Sequence, residues 1–240
     1  FEPDLAAELS HHAGLYGIPA YAKTERGSAF VMMLGAPREQ MAEAIRYSQL
    51  IFARQKYALI DELEDLDPLD RVSPVLEALG GKGRYGDLSV ETPDSDDAKQ
   101  LAGLARSFGN ALRPALRKRG LLTDKANDKL PMLHVVFVRN NHLLLASSTQ
   151  DDRSPWPMGI PRLKQDSRAP SRSAMKLDEA LACLMTPAER MNLISEGMTA
   201  ADLGAAPGGW SWVLAKHHIR VTAIDNGPIS EDALATGLIE

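Results

Sequence analysis

Several features common in other proteins are scarce or absent in this sequence. A single cysteine in 240 residues allows no internal disulfide, and we expect a reducing, cytoplasmic setting. That residue, Cys183, lies on the apolar face of a predicted helix, where we expect it to be buried and unreactive. The chain has no run of about 18 apolar residues and no signal-peptide pattern, which argues against a membrane partner. Its histidines lack the spacing of a metal site, so we predict no metal.

Negative charge predominates, but it is unevenly distributed. The net charge of −5 argues superficially against a nucleic-acid partner. Residues 61–70 include six acids and no base, whereas residues 106–119 include five bases and no acid. A second basic stretch, residues 153–176, has six bases and one acid. Two basic stretches on an acidic protein predict one phosphate-facing side, although each stretch by itself is also typical of a solvated surface.

The most informative stretch, residues 201–210, is Ala-Asp-Leu-Gly-Ala-Ala-Pro-Gly-Gly-Trp. A predicted buried strand at 198–203 leads into it, and a predicted helix at 208–216 follows it. A second predicted strand, 220–224, leads to Asp225. A glycine-rich turn between strand and helix lets backbone approach a nucleotide-like cofactor, and an acidic residue about 20 positions later suits a ribose diol.

The spacing of the glycines favours S-adenosylmethionine over a dinucleotide. The pattern is Gly204-x-x-Pro207-Gly208-Gly209, and it differs from the G-x-G-x-x-G of a pyrophosphate site. Pro207 has no N–H to donate to a phosphate and Asp202 would repel one, whereas a sulfonium cofactor tolerates an acidic turn. An NAD-dependent oxidoreductase is therefore disfavoured. The alternative is an ordinary corner whose glycines only permit close packing.

A second motif lies upstream, where Ser171-Arg172-Ser173 opens a predicted helix. Serine is a favoured residue at a helix N-cap. Lys176 would lie one turn below the capping serine and point back toward the cofactor end of the unit. The alternative is a solvated helix lysine beside Asp178 and Glu179.

Two motifs together, S-R-S-x-x-K-L-x-E-A from Ser171 and D-L-G-A-x-P-G-G-W from Asp202, resemble the FtsJ-like ribose 2′-O-methyltransferases of ribosomal RNA. Residues 51–55, 158–164 and 225–228 extend the resemblance to the bacterial family that methylates a cytidine of 23S ribosomal RNA. The resemblance covers nearly the whole chain. It implies S-adenosylmethionine as cofactor, 23S ribosomal RNA as substrate before full ribosome assembly, and a THUMP RNA-binding region. We expect the protein to be a monomer.

The resemblance also assigns roles to individual residues. The family uses a K-D-K-E set of which only the first lysine has a counterpart, Lys176, and we expect it to orient the acceptor and modulate the base. Asp225 is expected to bind the cofactor ribose, whereas Asp202 and Gly204 shape the turn. Trp210 is expected to pack in the core against the sheet. The residues expected to contact the methionine part of the cofactor are Ser173, Ala206, Pro207, Gly208 and Gly209.

The order of predicted elements divides the chain into four segments. They are a ferredoxin-like α+β domain (1–69), a THUMP-like RNA-binding domain (70–154), a proline-rich linker (155–169) and the start of an α/β Rossmann-like S-adenosylmethionine-dependent methyltransferase domain (170–240). In the second domain, residues 96–116 have the apolar spacing of one long helix. Asn140 and Asn141 mark a hairpin turn between two apolar stretches.

The last segment predicts two strands, whereas a doubly wound methyltransferase sheet needs about six. We therefore expect further strands and the base lysine after Glu240, and a first ferredoxin strand before Phe1. Residues 1–240 alone are then expected to be inactive in methyl transfer. Two functions stay open: 2′-O-methylation of a cytidine in 23S ribosomal RNA, or RNA binding without catalysis.

Overall fold

A computed structural model describes residues 1–240. The chain divides into two compact units, Phe1–Ile160 and Pro161–Glu240. None of its helices combines the length and the apolar character that crossing a membrane requires.

The first unit begins with a small two-stranded layer. Its elements are α1 (Glu2–Leu15), β1 (Tyr21–Thr24), β2 (Val31–Leu34) and α2 (Arg38–Ala44). The strands pair antiparallel, with Tyr21 opposite Leu34. A small apolar core holds the layer together and consists of Leu9, Ala13, Ile18, Ala44 and Ile45.

A four-stranded mixed sheet forms the rest of the first unit. Its strands are β3 (Ala58–Leu63), β4 (Asp87–Glu91), β5 (Met132–Arg139) and β6 (His142–Ser148), in the order β3-β6-β5-β4. Only the β4–β5 pair is parallel. The helices of this part are α3 (Val72–Ala78), α4 (Asp96–Lys99) and α5 (Ala102–Lys118). The hairpin expected at Asn140–Asn141 is confirmed, since Arg139 pairs with His142 across that turn.

The sheet differs from the sequence-based expectation in two places. Strand β3 was expected in the ferredoxin-like segment, but it pairs with β6, and its Ile60 and Leu63 pack on the core of the second sheet. The pairing is stable because the apolar side chains of β3 are covered by the core of the four-stranded sheet. The helix expected at 96–116 is also interrupted, and its two parts meet at Gln100 and Leu101.

One face of the mixed sheet carries a buried polar cluster. His134 is 1% exposed, its Nε2 lies 2.7 Å from the Ser148 hydroxyl, and its Nδ1 has no partner. The Tyr57 ring lies 4.4 Å from the imidazole, and its hydroxyl donates to Glu91 at 2.5 Å. Burial is the main cause that lowers the pKa of His134 to about 4, so the ring is neutral near pH 7.

The second unit is built on two parallel strands. Its elements are α6 (Ser173–Cys183), α7 (Pro187–Leu193), β7 (Thr199–Leu203), α8 (Gly209–Lys216), β8 (Arg220–Ile224) and α9 (Glu231–Leu234). Asp202 stands opposite Ala223 in the ladder. The core lies on one face of this sheet, where Trp212 and Val213 of α8 cover Val221.

The opposite face of the two strands is open. Leu203 is 76% exposed and Ile224 is 52% exposed. The prediction of a buried strand at 198–203 was therefore wrong about burial, because the apolar cluster of this unit covers one side of the strands only. Cys183 is also exposed, contrary to expectation. It follows the buried Leu181 by two positions and so lies on the other side of the helix.

Candidate functional site

The turn from β7 to α8 depends on two glycines with positive φ. Gly204 has φ 82° and Gly208 has φ 104°, a conformation that side-chain-bearing residues rarely adopt. A Cβ on Gly208 would lie 2.9 Å from the Cβ of Ala233, so its missing side chain serves packing against α9. A Cβ on Gly204 would meet no atom within 4 Å. The chain at Gly204 is therefore open to approach by a ligand.

Gly209, the first residue of α8, brings α6 and α8 together. A Cβ built there would collide with the hydroxyl oxygens of Ser171 and Ser173. This glycine therefore has a packing role at the start of two helices. From the sequence, Gly209 was expected only to contact the cofactor. That contact stays a prediction.

Asp202 stabilises the turn from inside. Its side chain is buried, and one carboxylate oxygen accepts from the Ser211 backbone N–H at 3.0 Å and from the Ser211 hydroxyl at 2.8 Å. A carboxylate at this position satisfies a donor in the first turn of α8 and complements the positive end of the helix dipole. Ser211 was not identified from the sequence, although it is the next polar residue after the glycine turn.

Asp225 joins the end of β8 to the same turn. One of its oxygens accepts from the backbone N–H of Ala206 at 2.9 Å, and the other accepts from Gly227 at 2.8 Å. The bonds from Gly227 and then from Ala206 lower the pKa of this carboxyl. The side chain is exposed, and a carboxylate has about four acceptor sites. It can therefore hold the turn and still accept from a ligand hydroxyl.

Trp210 does not pack in the core, as the sequence suggested. It is 47% exposed, whereas Trp212 two positions later is 5% exposed and fills the core. The Trp210 indole N–H donates to the carbonyl oxygen of Ser173 at 3.0 Å. This bond links the residue after the glycine turn directly to the first residue of α6.

Ser173 begins α6, but neither serine caps the helix. The N-cap residue is Arg172, without a side-chain cap bond, and the hydroxyls of Ser171 and Ser173 lie 2.5 Å apart. The expected serine cap was therefore wrong, because these two hydroxyls bind each other. Lys176 is exposed one turn later and forms no ion pair with its acidic neighbours.

The first basic stretch lies on α5, and two of its bases bind within the unit. The Arg113 guanidinium donates to the Asp87 carboxylate at 2.6 Å and to the Leu88 carbonyl at 2.7 Å. Arg117 donates to the carbonyls of Thr123 and Asp124. The exposed bases of this stretch that make neither an ion pair nor a side-chain hydrogen bond are Arg106, Lys118 and Arg119, so only part of the stretch is free to face a phosphate.

Part of the second basic stretch is also paired. Arg168 donates to Asp166 at 3.1 Å, and the Lys216 ammonium lies 3.6 Å from the same carboxylate. The bond from Arg168 is the main cause that lowers the pKa of Asp166 to about 2. Lys216 also lies 4.5 Å above the Trp212 ring. These charges anchor the segment before α6 to the end of α8.

Comparison with known sequences covers most of the chain. Residues 1–57 match the RlmM ferredoxin-like domain, and residues 70–149 match the N-terminal domain of ribosomal RNA large subunit methyltransferase M. Residues 169–237 match the FtsJ-like methyltransferases. The glycine turn, Asp225, Trp210 and Lys176 all lie within the last match.

Relatives that match over the whole of this chain carry the name of the same methyltransferase. "Ribosomal RNA large subunit methyltransferase M" of Xanthomonas campestris pv. campestris strain B100 is 58% identical over 240 residues, which is 100% of this chain and 69% of the relative. The protein of that name from Xanthomonas axonopodis pv. citri is also 58% identical, with the same coverage. A solved structure of a possible methylase from Clostridium difficile 630 matches at 15% identity and a TM-score of 0.38, covering 98% of this chain and 71% of that one. A TM-score of this size does not establish a shared fold.

Proposed function

Since this chain belongs to the ribosomal RNA large subunit methyltransferase M family, we propose that it methylates ribosomal RNA. In full, the proposal is transfer of a methyl group from S-adenosylmethionine to the ribose 2′-oxygen of a cytidine in 23S ribosomal RNA. The observation that supports it best is the position of Asp225. Its carboxylate accepts hydrogen bonds from Ala206 in the glycine turn and from Gly227 after β8, and its side chain is exposed.

The residues of this turn fit the proposed cofactor. The open space at Gly204 admits an amino-acid moiety close to backbone, and Asp225 has acceptor sites for a ribose diol. Pro207 offers no N–H, and Asp202 and Asp225 add negative charge, so a sulfonium is better accommodated than a pyrophosphate. We assign the methionine part to Ser173, Ala206, Pro207, Gly208 and Gly209.

Lys176 has an accessory role in the proposed reaction. The bound cofactor supplies an activated methyl group, so the chain's task is to hold the 2′-hydroxyl in line with it and to let its proton leave. The exposed Lys176 ammonium can donate to the acceptor oxygen and orient it. Its charge also lowers the pKa of a neighbouring basic group. We assign it to orienting the acceptor and not to removing the proton alone.

The remaining parts of the proposal concern the RNA. We propose that residues 70–154 are a THUMP-like RNA-binding domain, since α5 leaves Arg106, Lys118 and Arg119 exposed and unpaired. The proposed substrate is 23S ribosomal RNA before full ribosome assembly, when an acceptor ribose is still accessible. The proposed enzyme acts as a cytoplasmic monomer.

Calorimetry with S-adenosylmethionine tests the cofactor site. We expect Asp225→Ala to weaken binding by about 1.5–3 kcal/mol, because charge-assisted hydrogen bonds to the ribose are lost. Asp225→Asn keeps one acceptor oxygen and should lose less. The control is Glu196→Gln, which removes an exposed carboxylate of the same unit that makes no hydrogen bond. Unchanged affinity in Asp225→Ala would refute the ribose assignment.

Nucleoside analysis of methylated RNA tests the reaction. Incubation with unmodified 23S ribosomal RNA should yield 2′-O-methylcytidine after complete digestion. A base-methylated nucleoside would contradict the proposed acceptor atom, and NADH binding tighter than S-adenosylmethionine binding would revive the oxidoreductase.

A further inference from the structure

We propose that the glycine-rich loop before β4, residues 80–86, and the segment after α5, residues 119–125, together bind the phosphate backbone of the RNA. The inference rests on the proposed RNA substrate and names where its backbone is held. The two stretches lie in the first unit and are called the loop surface below. The bases of the loop surface are Lys82, Arg84, Arg119 and Lys125.

Backbone hydrogen bonds fix the two stretches side by side. The N–H of Tyr85 donates to the Leu121 carbonyl at 2.8 Å, and the N–H of Thr123 donates to the Tyr85 carbonyl at 3.1 Å. Tyr85 and Leu122 pair in parallel, and both side chains are buried in the core of the four-stranded sheet. Because the pairing is parallel, the bases that precede Tyr85 and the base that precedes Leu122 approach the pair from the same end.

The charge of the loop surface favours an anion. Its four bases are exposed and make neither an ion pair nor a side-chain hydrogen bond. The two stretches contain one acid, Asp124. The Arg117 guanidinium donates to the backbone carbonyl of Asp124 at 2.8 Å, which places a further positive charge beside that residue. A phosphate therefore meets several free cations and a single carboxylate.

The backbone of the loop surface is also open to an anion. Gly83 has φ 102° and Gly120 has φ 72°, and a Cβ on either would meet no atom within 4 Å. The exposed N–H groups of Gly83 and Arg84 donate to no acceptor within the protein. Backbone N–H groups, lysine and arginine are donors that proteins use on phosphate oxygens. The RNA backbone can therefore come close to the chain here.

The loop surface offers little to the bases of the RNA. The Tyr85 ring is 4% exposed, Leu122 is 1% exposed and Leu121 is half-buried. Recognition of unpaired bases relies on exposed rings against which they stack. Without such a ring, we expect the loop surface to hold the RNA by its phosphates and to add affinity that does not depend on base sequence.

Fluorescence anisotropy with a short unstructured RNA, at salt from about 50 to 200 mM, tests the proposal on the full-length protein. Lys82→Gln/Arg84→Gln should weaken binding several-fold and reduce the salt slope by about 1.4, at about 0.7 for each phosphate contact on a single strand. Lys82→Arg/Arg84→Lys keeps both charges and should retain the wild-type slope. The matched control is Lys23→Gln/Arg26→Gln, which removes two exposed and unpaired bases from β1 and the loop after it.

Two results would overturn the loop surface. One is a salt slope for Lys82→Gln/Arg84→Gln that equals the slope of Lys23→Gln/Arg26→Gln, and the other is a loss of affinity confined to RNA of one base sequence. Methylation of 23S ribosomal RNA by the wild type is measured alongside. If the wild type methylates the RNA but Lys82→Gln/Arg84→Gln binds normally, the loop surface fails and the proposed function stands. If the wild type neither binds nor methylates RNA, both fail.

Discussion

At the scale of single residues, Trp210 connects the two halves of the candidate site. Its indole N–H holds the first residue of α6, the helix that carries Lys176, against the residue that follows the glycine turn. Phenylalanine keeps the ring and removes this donor. A neutral hydrogen bond contributes about 1 kcal/mol, so we expect Trp210→Phe to slow single-turnover methyl transfer several-fold.

The affinity of Trp210→Phe for S-adenosylmethionine should change less than the transfer rate, because the glycine turn and Asp225 stay intact and only the bond to Ser173 is lost. Trp156→Phe is the matched control, since that indole makes no hydrogen bond and lies in the first unit. A normal transfer rate in Trp210→Phe would show that α6 is positioned by packing alone.

At the scale of elements, Gly209 decides how closely α6 and α8 approach. We expect Gly209→Ala to destabilise the second unit by about 1–3 kcal/mol, because the new methyl group collides with the hydroxyls of Ser171 and Ser173. The double variant Gly209→Ala/Ser173→Ala should recover part of the loss, which a thermodynamic cycle of denaturation curves measures. The control, Gly103→Ala, adds a methyl group to open space in a helix and should be neutral or stabilising. Equal stability of Gly209→Ala and wild type would contradict the packing role.

The elements also show what the sequence could and could not predict. The α5 helix and the β5–β6 hairpin were predictable, since apolar spacing and an Asn-Asn turn are local signals. The placement of β3 was not, because its partner β6 follows about 80 residues later. In the site, the glycine turn has a sequence signature. The exposure of Trp210 has none, because it depends on the distance between α6 and α8.

At the scale of the whole molecule, the buried polar cluster makes stability depend on pH. The pKa of His134 is about 4 in the folded chain and about 6.5 in the unfolded chain, so the unfolded state binds the proton more readily. The contribution of a neutral His134 is therefore fully present above pH 6.5 and is lost as the pH falls toward 4. The loss is at most about 3 kcal/mol by linkage.

Denaturant unfolding of wild type and His134→Gln at several pH values measures this effect. Below pH 6.5 the free energy of unfolding of the wild type should fall more steeply than that of the variant, whose side chain does not titrate. His11→Gln, which replaces an exposed histidine, should retain the wild-type slope. If the free energy of unfolding falls with the same slope in wild type and in His134→Gln, another group causes the loss of stability at acidic pH.

The β3–β6 pairing has a consequence for synthesis of the chain. Strand β3 leaves the ribosome about 80 residues before the strand that covers its edge, and β4 and β5 come between them. At the usual 5–20 residues per second, that interval is roughly 4–16 s. During that interval the edge of β3 is unpaired in the nascent chain and available to other strands or to chaperones. Residues 61–70 begin within β3 and carry six acidic side chains and no base. The negative charge beside the unpaired edge opposes its association with a second nascent copy of the chain.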